Sequence, residues 1–360
     1  MSRAKGSIAG AVGLAAWVTL LLASAQPATA INVKDDFRIT LAATDADDDT
    51  DITALQLGYS HFFEPLRSEG DLPFNYEFFF SHPSAIAVNI SRGDQDSPDV
   101  SGLDVDSDLT FNIVHLVGQW FIKERVGLLF SFEQIDNDLS ETISDSTLEF
   151  SQVFTQSVSV PSVAVQHYYA DNGAWSVQYY YTDVRADLIA VLDLLGGRAF
   201  FVERDRSDEY NGFRGDWTHI WKKRYRVSAN FFSDVSSSPL LGGIFPAAAS
   251  LQRTAGTTDA ANVGDSSFEP SPYLENSGGG VEFEWAFARG QSAQVSYSVT
   301  EADDTDDERT TYGISYILYL GRQKTLLFQY GRTETDIEFS NESKISVDTD
   351  SLQFALRFAR

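Results

Sequence analysis

From Asp35 onward the chain alternates apolar and polar residues in short runs, and each run ends in a break. In the last run Leu352, Phe354, Leu356 and Phe358 share one parity, while Gln353, Ala355 and Arg357 share the other. Side chains of an extended strand point to opposite faces in turn, so this period-two pattern predicts a strand with one greasy face and one polar face. The same signature recurs upstream. Val281, Phe283, Trp285 and Phe287 oppose Glu282 and Glu284; Val295, Tyr297 and Val299 oppose Gln294, Ser296 and Ser298; Tyr225, Val227, Ala229 and Phe231 oppose Arg226, Ser228 and Asn230. The predicted strands are 37–43, 52–62, 85–91, 109–121, 126–133, 162–169, 174–183, 210–221, 225–233, 280–287, 293–300, 311–320, 325–333 and 351–360. That makes about 14 strands, with 12 or 16 as alternatives, each near the length of a tilted membrane crossing.

A soluble sandwich and a membrane barrel both show alternation, and the breaks separate them. One kind is short and often basic: Lys123-Glu124-Arg125, Ala170-Asp171-Asn172-Gly173, Lys222-Lys223-Arg224, Arg289-Gly290-Gln291 and Gly321-Arg322-Gln323-Lys324. The other is longer and often acidic, and the two kinds take turns along the chain. Short periplasmic turns facing long outer loops are the layout of outer-membrane barrels. The fold class expected is therefore all-β, an antiparallel transmembrane outer-membrane β-barrel. It forms one domain over 31–360, with long outer loops at 92–108, 134–161, 184–209 and 234–279. The 63–83 connection breaks the scheme because it is long and aromatic, and an interfacial segment is the favoured reading. Trp217, Trp221 and Tyr225 crowd strand ends, where an apolar ring with a polar edge suits a membrane surface.

Residues 1–30 read as a cleaved signal peptide: Arg3 and Lys5 open it, an apolar stretch follows, and Ala28-Thr29-Ala30 offers a small-residue cleavage site. No later run is long enough for a helical span, so export leads to the outer membrane of a Gram-negative cell rather than to a helical anchor. Cysteine is absent, which excludes disulfides and thiolate metal sites. The formal charge is −26, and it becomes more negative once Arg3 and Lys5 leave. Such a balance argues against nucleic-acid binding and favours cations over anions.

Tyr59-Ser60-His61-Phe62-Phe63-Glu64-Pro65, followed by Gly70-Asp71-Leu72-Pro73, resembles uncharacterised proteobacterial porins, which carry an aromatic strand end, a proline and a Gly/Leu-Pro segment before the next strand. The resemblance implies a porin-like barrel and assigns no site residues. Outer-membrane families usually end in an aromatic residue, whereas this chain ends Phe358-Ala359-Arg360.

Parity places Arg38, Glu133, Arg214, Asp216, Arg226, Glu282, Glu284 and Arg357 on the polar face, together with Thr40, Gln56, Gln178, Gln294 and Gln329. In a membrane barrel that face lines a lumen, where charge is tolerable because water or partners meet it. Two acidic breaks, with Asp45, Asp47, Asp48, Asp49 and Asp51 in one and Glu301, Asp303, Asp304, Asp306 and Asp307 in the other, should draw cations to one mouth. The first lacks the Gly and Glu of a calcium loop, since Thr50 and Gln56 stand at those positions, so no metal or other cofactor is expected. The apolar stretches 189–195 and 240–251 are candidates for a constriction. The rival enzyme class is an outer-membrane hydrolase. His61, His115, His167 and His219 share the apolar parity with no catalytic spacing to a Ser or Asp, so the chain is read as a non-enzyme. The expected function is passive diffusion of small hydrophilic solutes with a preference for cations. The alternative is a closed barrel presenting acidic loops to a partner. Expected partners are outer-membrane lipid and lipopolysaccharide, the barrel-assembly machinery and the solute, with no nucleic acid.

Overall fold

The computed structural model describes residues 31–46, 51–68, 79–96, 104–123, 125–144, 148–194, 197–233, 276–288, 291–302, 308–319, 324–338 and 344–359. Within them, 14 strands close into one antiparallel barrel in which each strand pairs with its sequence neighbours and the last pairs with the first. They are β1 (Ile31–Ala46), β2 (Asp51–Ser68), β3 (Ala85–Asp96), β4 (Asp104–Lys123), β5 (Val126–Ser144), β6 (Leu148–Ala170), β7 (Gly173–Leu194), β8 (Gly197–Trp221), β9 (Tyr225–Ser233), β10 (Asn276–Ala288), β11 (Gln291–Ala302), β12 (Glu308–Tyr319), β13 (Lys324–Glu338) and β14 (Lys344–Ala359). Closure matters physically: an open sheet would leave unpaired N–H and C=O groups in hydrocarbon, whereas a closed one pairs them all.

The outer face is an apolar belt. Phe37, Leu57, Ile90, Leu116, Phe130, Val165, Val177, Phe213, Phe231, Val281, Val295, Ile314, Phe328 and Leu352 are all exposed on it. A soluble protein does not leave a continuous patch of this size in water, and a bilayer covers it. Aromatic residues edge the belt. Trp120, Trp175, Trp217, Trp221 and Trp285 stand near the short turns, and Tyr179, Tyr297, Tyr312 and Tyr330 stand nearer the other end. Tyr330 donates its hydroxyl hydrogen bond to Asp350 (2.8 Å separates the equivalent Tyr59–Asp35 pair at the opposite edge; here 2.7 Å), so each ring stays in the belt while its polar tip leaves it. Leu57→Arg in the middle of the belt should cost about 2–4 kcal/mol of folding free energy in lipid vesicles. Urea titration of the folded-band mobility on a gel reads that loss.

Two of the loops expected from sequence are paired strand instead. The 134–161 segment is the upper part of β5 and β6, in register from Gln134↔Ser159 to Ser144↔Glu149. The 184–209 segment is the upper part of β7 and β8, in register from Val184↔Asp208 to Leu194↔Gly197. Likewise 92–96 and 104–108 belong to β3 and β4, leaving 97–103 outside the described residues, as 234–275 are within the fourth expected loop. The physical reason lies in the alternation, which inverts partway up these strands. On β5 the outward residues change from Leu128, Phe130 and Phe132 to Gln134, Asp136 and Asp138, while Ile135 and Leu139 face inward. On β7 they change from Trp175, Val177 and Tyr179 to Asp183, Arg185 and Asp187, while Val184, Ala186 and Leu188 face inward. Polar-out and apolar-in is the pattern of a sheet standing in water. β8, at 25 residues, is far longer than the roughly 9–11 residues a crossing needs. The barrel therefore continues beyond the bilayer at the end opposite the short turns. Ala54, Phe111, Ile113, Ile135, Val158, Val160, Tyr180 and Val184 form the buried core of that extension. Gly93 on β3 leaves room there for the Phe111 ring, which occupies the space a Cβ would take.

Candidate functional site: the interior of the barrel

Register sets the inner face. Arg38 pairs Arg357 across β1 and β14; Arg214 on β8 lies opposite Gln178 and Phe232; Asp216 lies opposite Ser176 and Asn230; Glu284 on β10 lies opposite Arg226 and Gln294; Glu282 lies opposite Ser228 and Ser296; Glu133 on β5 lies opposite His115 and Val160. All eight charged residues that parity assigned to the polar face are on this inner side, and they are buried or partly buried.

They do not stand as free charges. Arg357 Nε donates to Asp36 at 2.7 Å, and Arg38 Nη2 lies 4.0 Å from the same carboxylate. Arg214 Nε donates to Asp216 at 2.9 Å. Arg226 Nε lies 3.1 Å from Glu284, its Nη2 donates to Glu282, and Ser292 donates to Glu284 at 2.8 Å. Asp36 is the residue that sequence reasoning missed. It has the same parity as Arg38 and Thr40, but it lies one residue before the strand expected at 37–43, whereas β1 starts at Ile31.

Uncharged polar side chains fill the rest of the wall. Gln56, Gln119, Gln178, Gln329 and Gln353 are buried there, and each has a side-chain amide atom without a hydrogen-bond partner; the buried Thr40 hydroxyl has none either.

The short-turn mouth holds an aromatic cluster. The 63–83 connection, expected to lie at the membrane interface, continues β2 to Ser68, passes through 69–78 outside the described residues, and ends in one helical turn at 79–81. Phe79 is 1% exposed and packs inside the barrel with Tyr168, Ala174 and Ile220 from the inner faces of β6, β7 and β8, with Phe80 and Phe121 alongside. Its ring centroid is 5.1 Å from that of Tyr168, and the His82 ring lies 3.7 Å from Tyr168 and 5.4 Å from Phe121. Two bonds at Ser84 fasten the segment to the wall: Phe63 N–H donates to its carbonyl at 3.0 Å, and Phe121 N–H donates to its hydroxyl at 3.1 Å. Lys223 Nζ sits 5.7 Å from the centre of the Phe80 ring, a cation over an aromatic face. The sequence showed the aromatic run but not that it turns inward.

Of the histidines, His61, His167 and His219 are on the outer face among aromatic rings. His61 is 2.8 Å from Asp35, and His219 is 2.8 Å from the Tyr169 hydroxyl. His115 differs from the reading: it faces inward, paired in register with Glu133 and Asn89. β4 is apolar on both faces, with Val114 and Leu116 outside and Ile113 and Val117 inside, so alternation could not fix its sides.

The acidic breaks are only partly described. Asp45 near the end of β1 pairs in register with Asp51 at the start of β2, and Glu301 near the end of β11 pairs with Glu308 at the start of β12, both of these glutamates being exposed. Asp47, Asp48, Asp49, Asp303, Asp304, Asp306 and Asp307 lie outside the described residues, as do 240–251 and residues 1–30. The 189–195 stretch is not a constriction loop; through Leu194 it is β7, with Ile189 exposed on the outside and Ala190 buried inside.

No protein-family model matches this sequence, and no curated protein matches it. Solved structures do match. The monoaromatic hydrocarbon channel CymD aligns over 92% of this chain and 89% of its own at 7% identity, with a TM-score of 0.57. The Ralstonia pickettii toluene transporter TbuX aligns over 91% and 90% at 9% identity, with a TM-score of 0.53. A Pseudomonas aeruginosa FadL homologue aligns over 91% and 90% at 8% identity, also with a TM-score of 0.53. At these identities the likeness is one of fold: this chain is built as an outer-membrane barrel.

Proposed function

We propose that the protein is a channel of the Gram-negative outer membrane through which small hydrophilic solutes diffuse passively, with cations preferred. The observation that carries this reading is the inner wall, where buried amides and hydroxyls with unpartnered atoms stand on strand after strand. Buried polar groups are normally paired, so a wall of unpaired ones suits water and polar solutes passing along it. The similar structures are channels and transporters by name, which favours transport over catalysis. In this reading residues 1–30 direct export and are cleaved, the short turns face the periplasm, and the belt meets lipid and lipopolysaccharide after insertion by the assembly machinery.

Cation preference follows from where charge remains uncompensated. Arg38, Arg214, Arg226 and Arg357 each have a carboxylate within 4.0 Å, so these four bases offer little net field to an ion in transit. The extension is the acidic part, with Asp94, Asp136, Asp138, Asp187, Glu203, Asp205, Glu209, Glu301 and Glu308 exposed. Its Arg332 is tied to Asp348, and the carboxylates of Asp348, Asp350 and Glu334 hold its guanidinium above its ordinary pKa. The acids raise the local cation concentration within about 8 Å at physiological salt.

Purified protein in a planar bilayer under a potassium chloride gradient tests this. Discrete open-channel steps with a cation-directed reversal potential at low salt, fading as salt rises, are expected. Absence of any step would sink the channel and favour a closed barrel that presents its acidic rim to a partner. A second reading, an apolar solute, is favoured by the apolar inner face of the extension at Phe111, Ile113, Ile135 and Val158. Toluene uptake into vesicles holding the barrel would support it over the first.

A further inference from the structure

On one side of the inner wall four strands bring uncharged polar side chains into a single row. Gln353 on β14 is in register with Gln329 on β13, Gln329 with Ser315 on β12, and Ser315 with Gln294 on β11. Adjacent strands lie about 4.8 Å apart, so three steps span roughly 14 Å. At the β14 end the row continues obliquely to Thr40 on β1 and its register partner Gln56 on β2.

The row combines close burial with missing partners. Gln329 is 5% exposed and Gln353 8%. The side-chain oxygen of Gln329 and both the oxygen and nitrogen of Gln353 have no hydrogen-bond partner; the same holds for the Gln56 oxygen and the Thr40 hydroxyl. Charge ends where the row ends. On one side Glu284, opposite Gln294, is taken up by Arg226 and Ser292. On the other, Asp36 is taken up by Arg357 and Arg38. These charged groups are paired with one another, while the amide atoms named above have no hydrogen-bond partner.

We infer that the row Gln294–Ser315–Gln329–Gln353, extended by Thr40 and Gln56, is a binding subsite for an uncharged polyhydroxylated solute about as long as a short oligosaccharide. The inference rests on the channel reading and names its substrate class. An amide offers one acceptor and two donors in one plane, and a serine or threonine hydroxyl does both. A solute hydroxyl also donates and accepts, so a chain of hydroxyls can pair with every free atom of the row. A cation would meet the donor nitrogen of Gln353 and find no unpaired carboxylate there. A hydrocarbon would leave each amide unpaired, which a buried site penalises.

The test measures two things separately on the full barrel in detergent and in bilayers. Titration calorimetry with maltotriose reads the subsite, and ion conductance reads the channel. Wild type should bind maltotriose with a millimolar dissociation constant. Gln329→Leu with Gln353→Leu, which keeps the side-chain bulk and removes the amides, should weaken binding about tenfold, the loss expected for two hydrogen bonds. Gln353→Asn keeps the amide but shortens its reach, and it should give a smaller loss; this milder variant carries the test if the double variant does not fold. Equal affinity in wild type and in a folded variant would overturn the subsite, and so would the absence of any binding to wild type. Variant-sensitive binding in a barrel that never conducts would instead uphold the subsite and refute the channel.

Discussion

On the channel reading, replacing Phe79 by alanine should roughly double the single-channel conductance, because its ring is packed inside the barrel at the short-turn mouth. Phe79 comes from the β2–β3 connection, yet it is buried against Tyr168, Ala174 and Ile220, which belong to strands on another part of the circumference. Its ring, with the Phe80 and His82 rings close by, therefore reaches into the barrel interior at that mouth. The contacts that hold the segment include the two bonds at Ser84, the ring contacts, and Lys223 over Phe80. His82 has a positive φ of 48°, which non-glycine residues rarely adopt and which costs roughly 1–2 kcal/mol. Losing a fully buried phenylalanine should also cost about 3–5 kcal/mol of stability. Conductance histograms and the melting of the folded gel band measure the two effects together. An unchanged conductance in a folded variant would mean that the ion path avoids the cluster.

Alternation and break lengths made the barrel legible, because a membrane imposes a strict outward test on each residue. Each strand expected from sequence has its counterpart among β1 to β14. The extension was not legible for the same reason. Above Phe132 and Tyr179 the outside is water, the outward residues become Gln134, Asp136 and Asp183, and a reader looking for greasy outward faces sees a loop. His115 was misplaced where β4 is apolar on both sides. Parity still found the inner charges, since a buried charge inside hydrocarbon is tolerated only on the lumen side. It could not find their pairing. Arg357 and Asp36 are 321 residues apart in sequence and meet only because the last strand closes on the first. The Gln353–Gln329 row is likewise a product of register, which no single strand displays.

Asp36→Asn should shift selectivity toward anions, and Arg226→Gln should shift it further toward cations. Asp36 is 2% exposed and serves both Arg357 and Arg38, which stand directly opposite each other across β1 and β14. Like charges in that position repel, and the shared carboxylate is what offsets them. Its neutralisation leaves two guanidinium groups at one cross-section. Arg226 is the mirror case, because its removal leaves Glu282 and Glu284 without their base. Each change breaks a buried ion pair and should cost about 3–5 kcal/mol, so stability must be followed in parallel. The salt dependence separates wall from rim. Charge on the exposed extension is screened out over about 3 Å at 1 M salt, whereas on the channel reading a group on the inner wall acts on a passing ion at closer range. Reversal potentials taken at low salt and again near 1 M should therefore show opposite displacements for the two variants that survive high salt, on top of a wild-type cation preference that does not. If both variants instead keep the wild-type reversal potential at every salt concentration, the acids of the extension alone set the field and the paired wall charges are purely structural.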